Sequence, residues 1–388
     1  MARGRKKQSL TLDMSSRPQV GAVARELTRL ICVDGLLPGD SLPSQATLRA
    51  EKGFHNNTLN PAMQLLVDSG VIRRKARSGT VVVDPEGTVP GLWRVGLGMP
   101  PAAAEQMFYA QLFHLLQVSL QAFGATVQVF MLEDDTPVHG LGFQHFPGLT
   151  EACENGQLDG FITSLRIDGE DWQAWHERGL EMVSVGAWEE APAGVIIEQG
   201  RMVTEAVGML RERGCERLAV VSQHLPDPGY DRFWHSFRQA CGKAGLSEDS
   251  ARALHGGRGP AGGWQVAEQL LDMPECERPD GLIILDDRVA TGLTAVLAPN
   301  SANYCPQIVV QTNLQAPLAF ALPVLHFEVD IEALARRGAS MLIARLRNPQ
   351  TEARREWLYP ELHAASPAHM IRNETGETAP GNREAVAV

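Results

Sequence analysis

Four basic residues fall within five positions, Arg73, Arg74, Lys75 and Arg77, in the segment VIRRKARSGTVVVD. Cations at that density suit the phosphates of a polynucleotide, where each contact releases a condensed counterion. Just upstream lies a run of short amides and hydroxyls that includes Asn56, Asn57, Thr58 and Asn60. An Asn amide carries an acceptor and two donors, and it can pair with the N6/N7 edge of adenine in a major groove. The plainer alternative is a solvated basic hairpin on a small helical cap.

A second chemistry is written in PDGLIILDDRVATGL (279–293), where Asp286 and Asp287 follow an apolar run. A carboxylate at a strand end can accept two hydroxyl protons from a polyol. It can equally cap the helix that follows. Trp188, after EMVSVGA, offers a ring face to a pyranose, and Phe108 and Tyr109 open an apolar helical stretch; core packing competes for all three.

Signatures of catalysis are missing. The densest glycine run, HGGRGPAGG (255–263), has no Lys-Ser/Thr after it and no Gly-x-Gly-x-x-Gly spacing, so it reads as a loop before the helix WQVAEQLLDM. No Gly-x-Ser-x-Gly elbow or His-Glu-x-x-His pair occurs. Cys32, Cys153, Cys215, Cys241, Cys276 and Cys305 are scattered with no CxxC, which indicates neither a zinc site nor a disulfide framework. A binding protein is expected, with no enzyme activity, cofactor or metal.

The elements that position the cations and amides follow from apolar spacing. From Pro18, apolar residues at Val20, Val23, Ala24, Leu27, Leu30 and Ile31 predict a helix that Gly35 stops. The connector LLPGDSLPS leads to Ser44, a cap for a short helix through about Lys52, and Gly53 breaks the chain. A third helix turns Leu59, Ala62, Met63, Leu65 and Leu66 inward and closes at Gly70. Pro61 favours a start with Asn57 as cap, which would keep its ring in the first turn. Two short β runs then flank Ser78-Gly79. Three helices and a β-hairpin, in that order, make a winged helix-turn-helix over 18–83, behind a flexible basic tail over 1–17.

Charge agrees with this division. The chain carries −11 overall, yet residues 1–83 hold 13 Lys/Arg against 6 Asp/Glu, while the remainder holds 22 against 40. A basic module on an acidic body suits a part that meets a polyanion and a part that does not. At 388 residues two or three domains are expected. No apolar run is long enough to span a membrane and no export signal opens the chain, so the expected compartment is the cytoplasm.

DPEGTVPG (84–91) reads as an interdomain linker. Beyond it, nine apolar β runs begin with WRVGLGM and end with VLHFEV, and helical patterns alternate with them at 105–122, 200–213, 232–244, 264–272 and 331–347. Continuous apolar strands separated by helices predict parallel sheets covered on both faces. The fold class is α/β, with two lobes over 92–372 and a polar, disordered tail over 373–388.

Gly35, LPGDSLPS (37–44), Leu48, Gly53, Thr58, Ala62, Leu65, Gly70 and GTVVV (79–83) together resemble the GntR family of regulators. The resemblance implies DNA binding through Ser44, the third helix and a wing that includes Gly79. It departs where the family places arginines, since Ala46 and His55-Asn56 stand at those positions. The larger part resembles the LacI/GalR effector domain, whose fold is that of periplasmic binding proteins. DGFITS (159–164), GCERLAVVS (214–222), SFRQACGKAGL (236–246), PQIVVQTN (306–313) and the Asp287-Ala290-Gly292 pattern carry it in order. It implies effector contacts at Asp287, at Asn313 where an Asp is usual, and at an arginine whose family position falls on Phe233, one step from Arg232.

Together these imply a ligand-responsive transcription regulator, most simply a repressor. Its expected partners are duplex operator DNA, a sugar-like effector and a second copy of itself, because one helix-turn-helix reads one half-site. Two other readings rank lower. A GntR module can precede an aminotransferase-like domain, but Lys243 is the only lysine after Lys75 and lies in a helix, so no strand-end Schiff-base lysine exists. The other is a ligand-binding protein whose N-terminal module contacts protein or RNA.

Overall fold

The computed structural model describes residues 18–75, 79–100, 106–133, 141–186, 188–222, 232–247 and 250–363. The chain divides into two units, residues 1–197 with 331–357, and residues 198–330 with 358–388. Both predicted tails, 1–17 and 373–388, lie outside the described residues, as does the wing tip with Arg77.

The first unit opens with α1 (Pro18–Val33), which buries Val20, Ala24, Leu27 and Ile31 along one stripe. Helix α2 (Gln45–Lys52) starts where Ser44 Oγ accepts from the Thr47 amide at 3.1 Å. It ends at Gly53, whose φ of +68° only glycine adopts without strain. Helix α3 (Asn56–Asp68) starts earlier than the proline rule predicts. The His55 carbonyl accepts from the amides of Thr58 (3.0 Å) and Leu59 (2.8 Å), closing the first turn there, so His55 and not Asn57 is the cap residue. Pro61 therefore lies inside the helix. Having no N–H, it leaves the Asn57 carbonyl without its usual helical donor. Strands β1 (Ile72–Lys75) and β2 (Gly79–Val82) pair antiparallel, with Arg73 opposite Val81 and Arg74 opposite Thr80.

The rest of this unit is a doubly wound sheet. In chain order it contains β3 (Trp93–Met99), α4 (Met107–Ala122), β4 (Ala125–Met131), α5 (Leu149–Glu154), β5 (Gly160–Thr163), α6 (Gly169–Glu177), β6 (Glu181–Gly186) and β7 (Gly194–Ile197). The strand order β4-β3-β5-β6-β7 is parallel throughout and reverses beside β3. After the second unit the chain returns as α11 (Ile331–Arg347) and adds β13 (Arg355–Leu358) at the free edge, numbered by its place in the chain.

The second unit repeats the plan. It runs α7 (Gln199–Glu212), β8 (Leu218–Ser222), α8 (Arg232–Lys243), β9 (Ala251–His255), α9 (Gly259–Asp272), β10 (Gly281–Ile284), α10 (Asp287–Leu297), β11 (Gln307–Asn313), β12 (Leu325–Val329) and β14 (Glu361–His363). Its order is β9-β8-β10-β11-β12-β14, parallel except for the last pair. All residues of β8 and β10 are buried, as strands covered on both faces must be. The glycine run is no loop from Gly259 onward: it is the first turn of α9. A Cβ on Gly263 would stand 2.0 Å from the Val289 carbonyl, and one on Gly292 2.0 Å from that of Pro260. The glycines let α9 and α10 cross backbone to backbone.

Residues 84–91, read as a linker, are folded against their neighbours. Val89 is 2% exposed, the Gly91 amide donates to the Gly124 carbonyl at 2.7 Å, and Arg347 Nη2 donates to the Glu86 carbonyl at 2.7 Å. Helix α1 is docked on the same sheet domain. Arg25 Nε lies 3.2 Å from Asp159 Oδ1, and its Nη1 donates to the Leu92 carbonyl at 3.1 Å. Asp159 is held in turn by Arg94, through the backbone amide (2.9 Å), Nε (3.0 Å) and Nη2 (2.7 Å). Arg29 donates to the Leu346 carbonyl at the end of α11 and stands 5.6 Å over the Trp93 ring.

Candidate functional site

Helix α3 buries Leu59, Ala62, Met63, Leu65 and Leu66, which leaves Asn56, Asn57, Asn60 and Gln64 exposed on its other side. Thr58 is half-buried and spends its hydroxyl on the His55 carbonyl at 2.9 Å. Ser44 is likewise engaged in capping, with Thr47 Oγ1 2.8 Å from its hydroxyl. Arg73, Arg74 and Lys75 are exposed along β1, and among the described residues no carboxylate is paired with them. Gly79 starts β2 at φ +87°, a turn conformation that favours glycine. A residue that sequence reasoning passed over joins this surface: Gln45 Nε2 donates to Asn60 Oδ1 at 3.0 Å.

In the second unit, the strand order reverses between β8 and β10, the place where doubly wound sheets hold ligands beyond their strand ends. Ser222 ends β8, Asp286 and Asp287 follow β10, and Asn313 ends β11. Capping falls to Asp286, which accepts from the Val289 amide at 2.8 Å. Asp287 is thereby left for other work. It is 7% exposed, and its Oδ2 accepts from Asn313 Nδ2 at 2.7 Å. The other end of that amide, Asn313 Oδ1, is buried with no partner among the described residues. A buried acceptor without a donor is costly, and a hydroxyl or amine from outside would relieve it.

Burial, and then the neighbouring Asp286, push the Asp287 carboxyl up to about 7, against the pull of the Asn313 hydrogen bond. The unfolded chain ionises such a group near its ordinary value of 3.8, so stability falls as pH rises from there to about 7 and levels off above. Asp287→Asn keeps an acceptor for Asn313 and removes the buried charge. It should raise the melting temperature at about pH 8 clearly more than at about pH 4.5. An equal change at both pH values would mean that the carboxyl ionises as it does in water.

The remaining candidates are placed differently. Arg232 opens α8, but its side chain lies outside the described residues; Phe233 beside it is a core residue. In the first unit Trp188 is 8% exposed and meets Trp172 edge to face, with centroids 5.5 Å apart. Its ring belongs to an aromatic core with Phe143, Phe161 and Trp175, the packing use that competes with ligand stacking. Phe108 is half-buried at the start of α4, edge-on to Tyr109 at 5.2 Å. Ser164, just past the end of β5, has a buried hydroxyl without a partner among the described residues. The six cysteines are free thiols, and burial pushes Cys153 and Cys241 up to about 12 and 11.

An open amide-rich helix with a cationic hairpin serves duplex nucleic acid, and doubly wound units serve small ligands, so the class is that of the ligand-responsive transcription regulators. Residues 19–82 match the family described as bacterial regulatory proteins, gntR family, and residues 207–364 match the periplasmic binding protein-like domain. No curated protein matches the chain. Similar solved structures include a LacI transcriptional regulator from a Rhodococcus species, at 19% identity and TM-score 0.56 over 70% of this chain and 97% of that one. A LacI family regulator from Weissella paramesenteroides with bound glucose aligns at 14% identity and TM-score 0.56, over 72% and 98%. One from Enterococcus faecium with bound ribose aligns at 17% and 0.55, over 70% and 97%. The chain is a GntR-type winged helix-turn-helix fused to a periplasmic-binding-protein-like effector domain with the LacI fold.

Proposed function

We propose that this chain is a cytoplasmic repressor that grips a two-fold operator as a homodimer and changes its grip when a sugar or similar polyhydroxylated molecule reaches Asp287 and Asn313. The observation that carries the reading is the docking of α1 on the sheet domain through Arg25, Asp159 and Arg94, which joins the DNA module to one of the two effector lobes. On this reading α3 enters the major groove, and Arg73, Arg74, Lys75 and Arg77 lie along phosphates. Asp287 and the unpaired Asn313 oxygen supply acceptors for ligand hydroxyls. Glucose and ribose in the structures of fold relatives fit that chemistry. Phe108, Trp188 and Arg232 stand as further contacts of this proposal. The dimer would use the edge strand β4 and helix α4, where Met107, Val118, Val129 and Met131 are exposed. The ligand acts by binding the DNA-competent and incompetent states unequally; it binds and is not transformed.

Two measurements test this. Mobility shift of duplex DNA across a salt series should show binding that weakens steeply with salt; no binding at low salt sinks the DNA half. A thermal-shift panel of monosaccharides should contain one that stabilises the wild type by about 3 kcal/mol at a hundredfold excess over its Kd. The same shift in Asp287→Ala would take the carboxylate out of the site.

A further inference from the structure

We infer that the effector carries a phosphate beside its hydroxyls, held by Arg258 and Arg288 at the start of α9. This rests on the reading above, in which Asp287 and Asn313 take the hydroxyls of a ligand. Strands β8 to β11 run parallel, so α9, which follows β9, and α10, which follows β10, begin at the same edge of the sheet. That edge is where Asp287 and Asn313 lie. The first turns of the two helices pack together, since a Cβ on Gly292 would stand 2.0 Å from the Pro260 carbonyl. A Cβ on Gly259 would stand 3.0 Å from Arg288 Nη2 and 3.3 Å from Arg288 Cζ. The Arg288 guanidinium therefore lies against the first residue of α9, in space that glycine leaves open. Arg258 stands one residue ahead of it and is exposed.

Two cations at this end of a helix are unfavourable by themselves. The start of a helix is the positive pole of its backbone dipoles, and no side chain caps α9. Pro260 offers no N–H there, and that of Ala261, in the first turn, has no helical acceptor. Neither arginine makes an ion pair or a side-chain hydrogen bond among the described residues. Arg217, Arg252 and Arg278 of the same unit all do. The nearby carboxylates are engaged: Asp286 caps α10 through the Val289 amide, and Asp287 accepts from Asn313 and from the Arg288 backbone N–H. An anion between the guanidinium groups and the helix start satisfies all three. A second mark of a ligand is Asn313 itself, 8% exposed, whose Oδ1 has no partner among the described residues. One side of the site thus lacks a hydroxyl donor, and the other lacks an anion. A sugar monophosphate supplies both. A carboxylate would bring a single charge to two guanidinium groups, so a phosphate dianion is the closer match.

The test is titration calorimetry of the full-length protein with hexose and pentose monophosphates, their parent sugars and the matching sugar acids, at one salt concentration. One monophosphate should bind more tightly than its parent sugar by about tenfold or more, the usual worth of hydrogen bonds to charged groups. The double variant Arg258→Gln with Arg288→Gln should bring the two affinities together by weakening the monophosphate alone. Melting temperatures near wild type show that the fold is intact. Arg258 is exposed, so Arg258→Gln by itself carries the test should the double variant unfold, and it should narrow the preference. A parent sugar that binds as tightly as its monophosphate overturns the inference, as does a preference undiminished in the variants. A sugar acid bound more tightly than every monophosphate overturns it as well. Binding of no sugar, phosphorylated or not, refutes instead the reading on which it rests.

Discussion

Asp159→Ala should lower the unfolding free energy of the full-length protein by about 3–5 kcal/mol, the cost of removing one partner from a buried ion pair. Asp159 is 8% exposed and Arg25 is 9% exposed, so water cannot replace the lost carboxylate. Burial already lowers the Arg25 pKa, and the Asp159 charge acts against that shift. Without Asp159 two guanidinium groups, Arg25 and Arg94, are left side by side. Chemical denaturation measures the loss, and a change below about 1 kcal/mol would mean that the cluster is solvated and contributes like a surface pair. The companion double variant Arg25→Met with Asp159→Leu should recover much of the stability, because apolar replacements of whole buried pairs are often neutral. It removes the ionic clamp all the same. Ligand should still stabilise that variant, while the coupling of ligand to DNA affinity weakens.

The second large effect belongs to the wing. Replacing Arg73, Arg74 and Lys75 together by alanine should lower DNA affinity by two to three orders of magnitude, about tenfold per phosphate contact at ~0.1 M salt. The slope of log K against log salt should flatten by about 0.9 for every one of the three that touches a phosphate. All three are exposed, so the melting temperature should stay within a degree or two of the wild type. Side chains alternate across a strand, so Arg73 and Lys75 share one face of β1 and Arg74 takes the other. The single variants should divide along that line. An unchanged salt slope in the triple variant would assign the charge to solvation and leave DNA to other cations.

Eight of the nine apolar strands of the large domain were legible because a strand covered on both faces must be apolar throughout, whereas β4, an exposed edge strand, was legible from its own apolar run. The three that escaped, β9, β13 and β14, are all edge strands, partly or wholly exposed and free of that demand. HGGRGPAGG escaped for a related reason: composition marks glycine as a breaker, and only the partner helix α10 shows that it serves a close crossing. Helix α1 was visible through Val20, Leu27 and Ile31, yet it has a second buried side built from Gly21, Arg25 and Thr28. Hydrophobic spacing cannot see that side, whose partner Asp159 lies far along the chain. Asp287 was legible as a type and position, but its availability depended on Asp286 taking the cap. The Gln45–Asn60 contact left no pattern in the sequence, since two amides on different helices carry no period.

Helix α11 begins at Ile331, the first residue after the chain crosses from the second unit, and its last turn receives Arg29. Seventeen residues make a rod about 25 Å long. Its middle packs closely on β6, for a Cβ on Gly338 would stand 2.3 Å from Val185 Cγ1. Heredity should record this. Among alleles that leave the regulator able to hold DNA yet deaf to its signal, a large share should map to α11 and to the α1 residues that rest on it, touching neither ligand nor base.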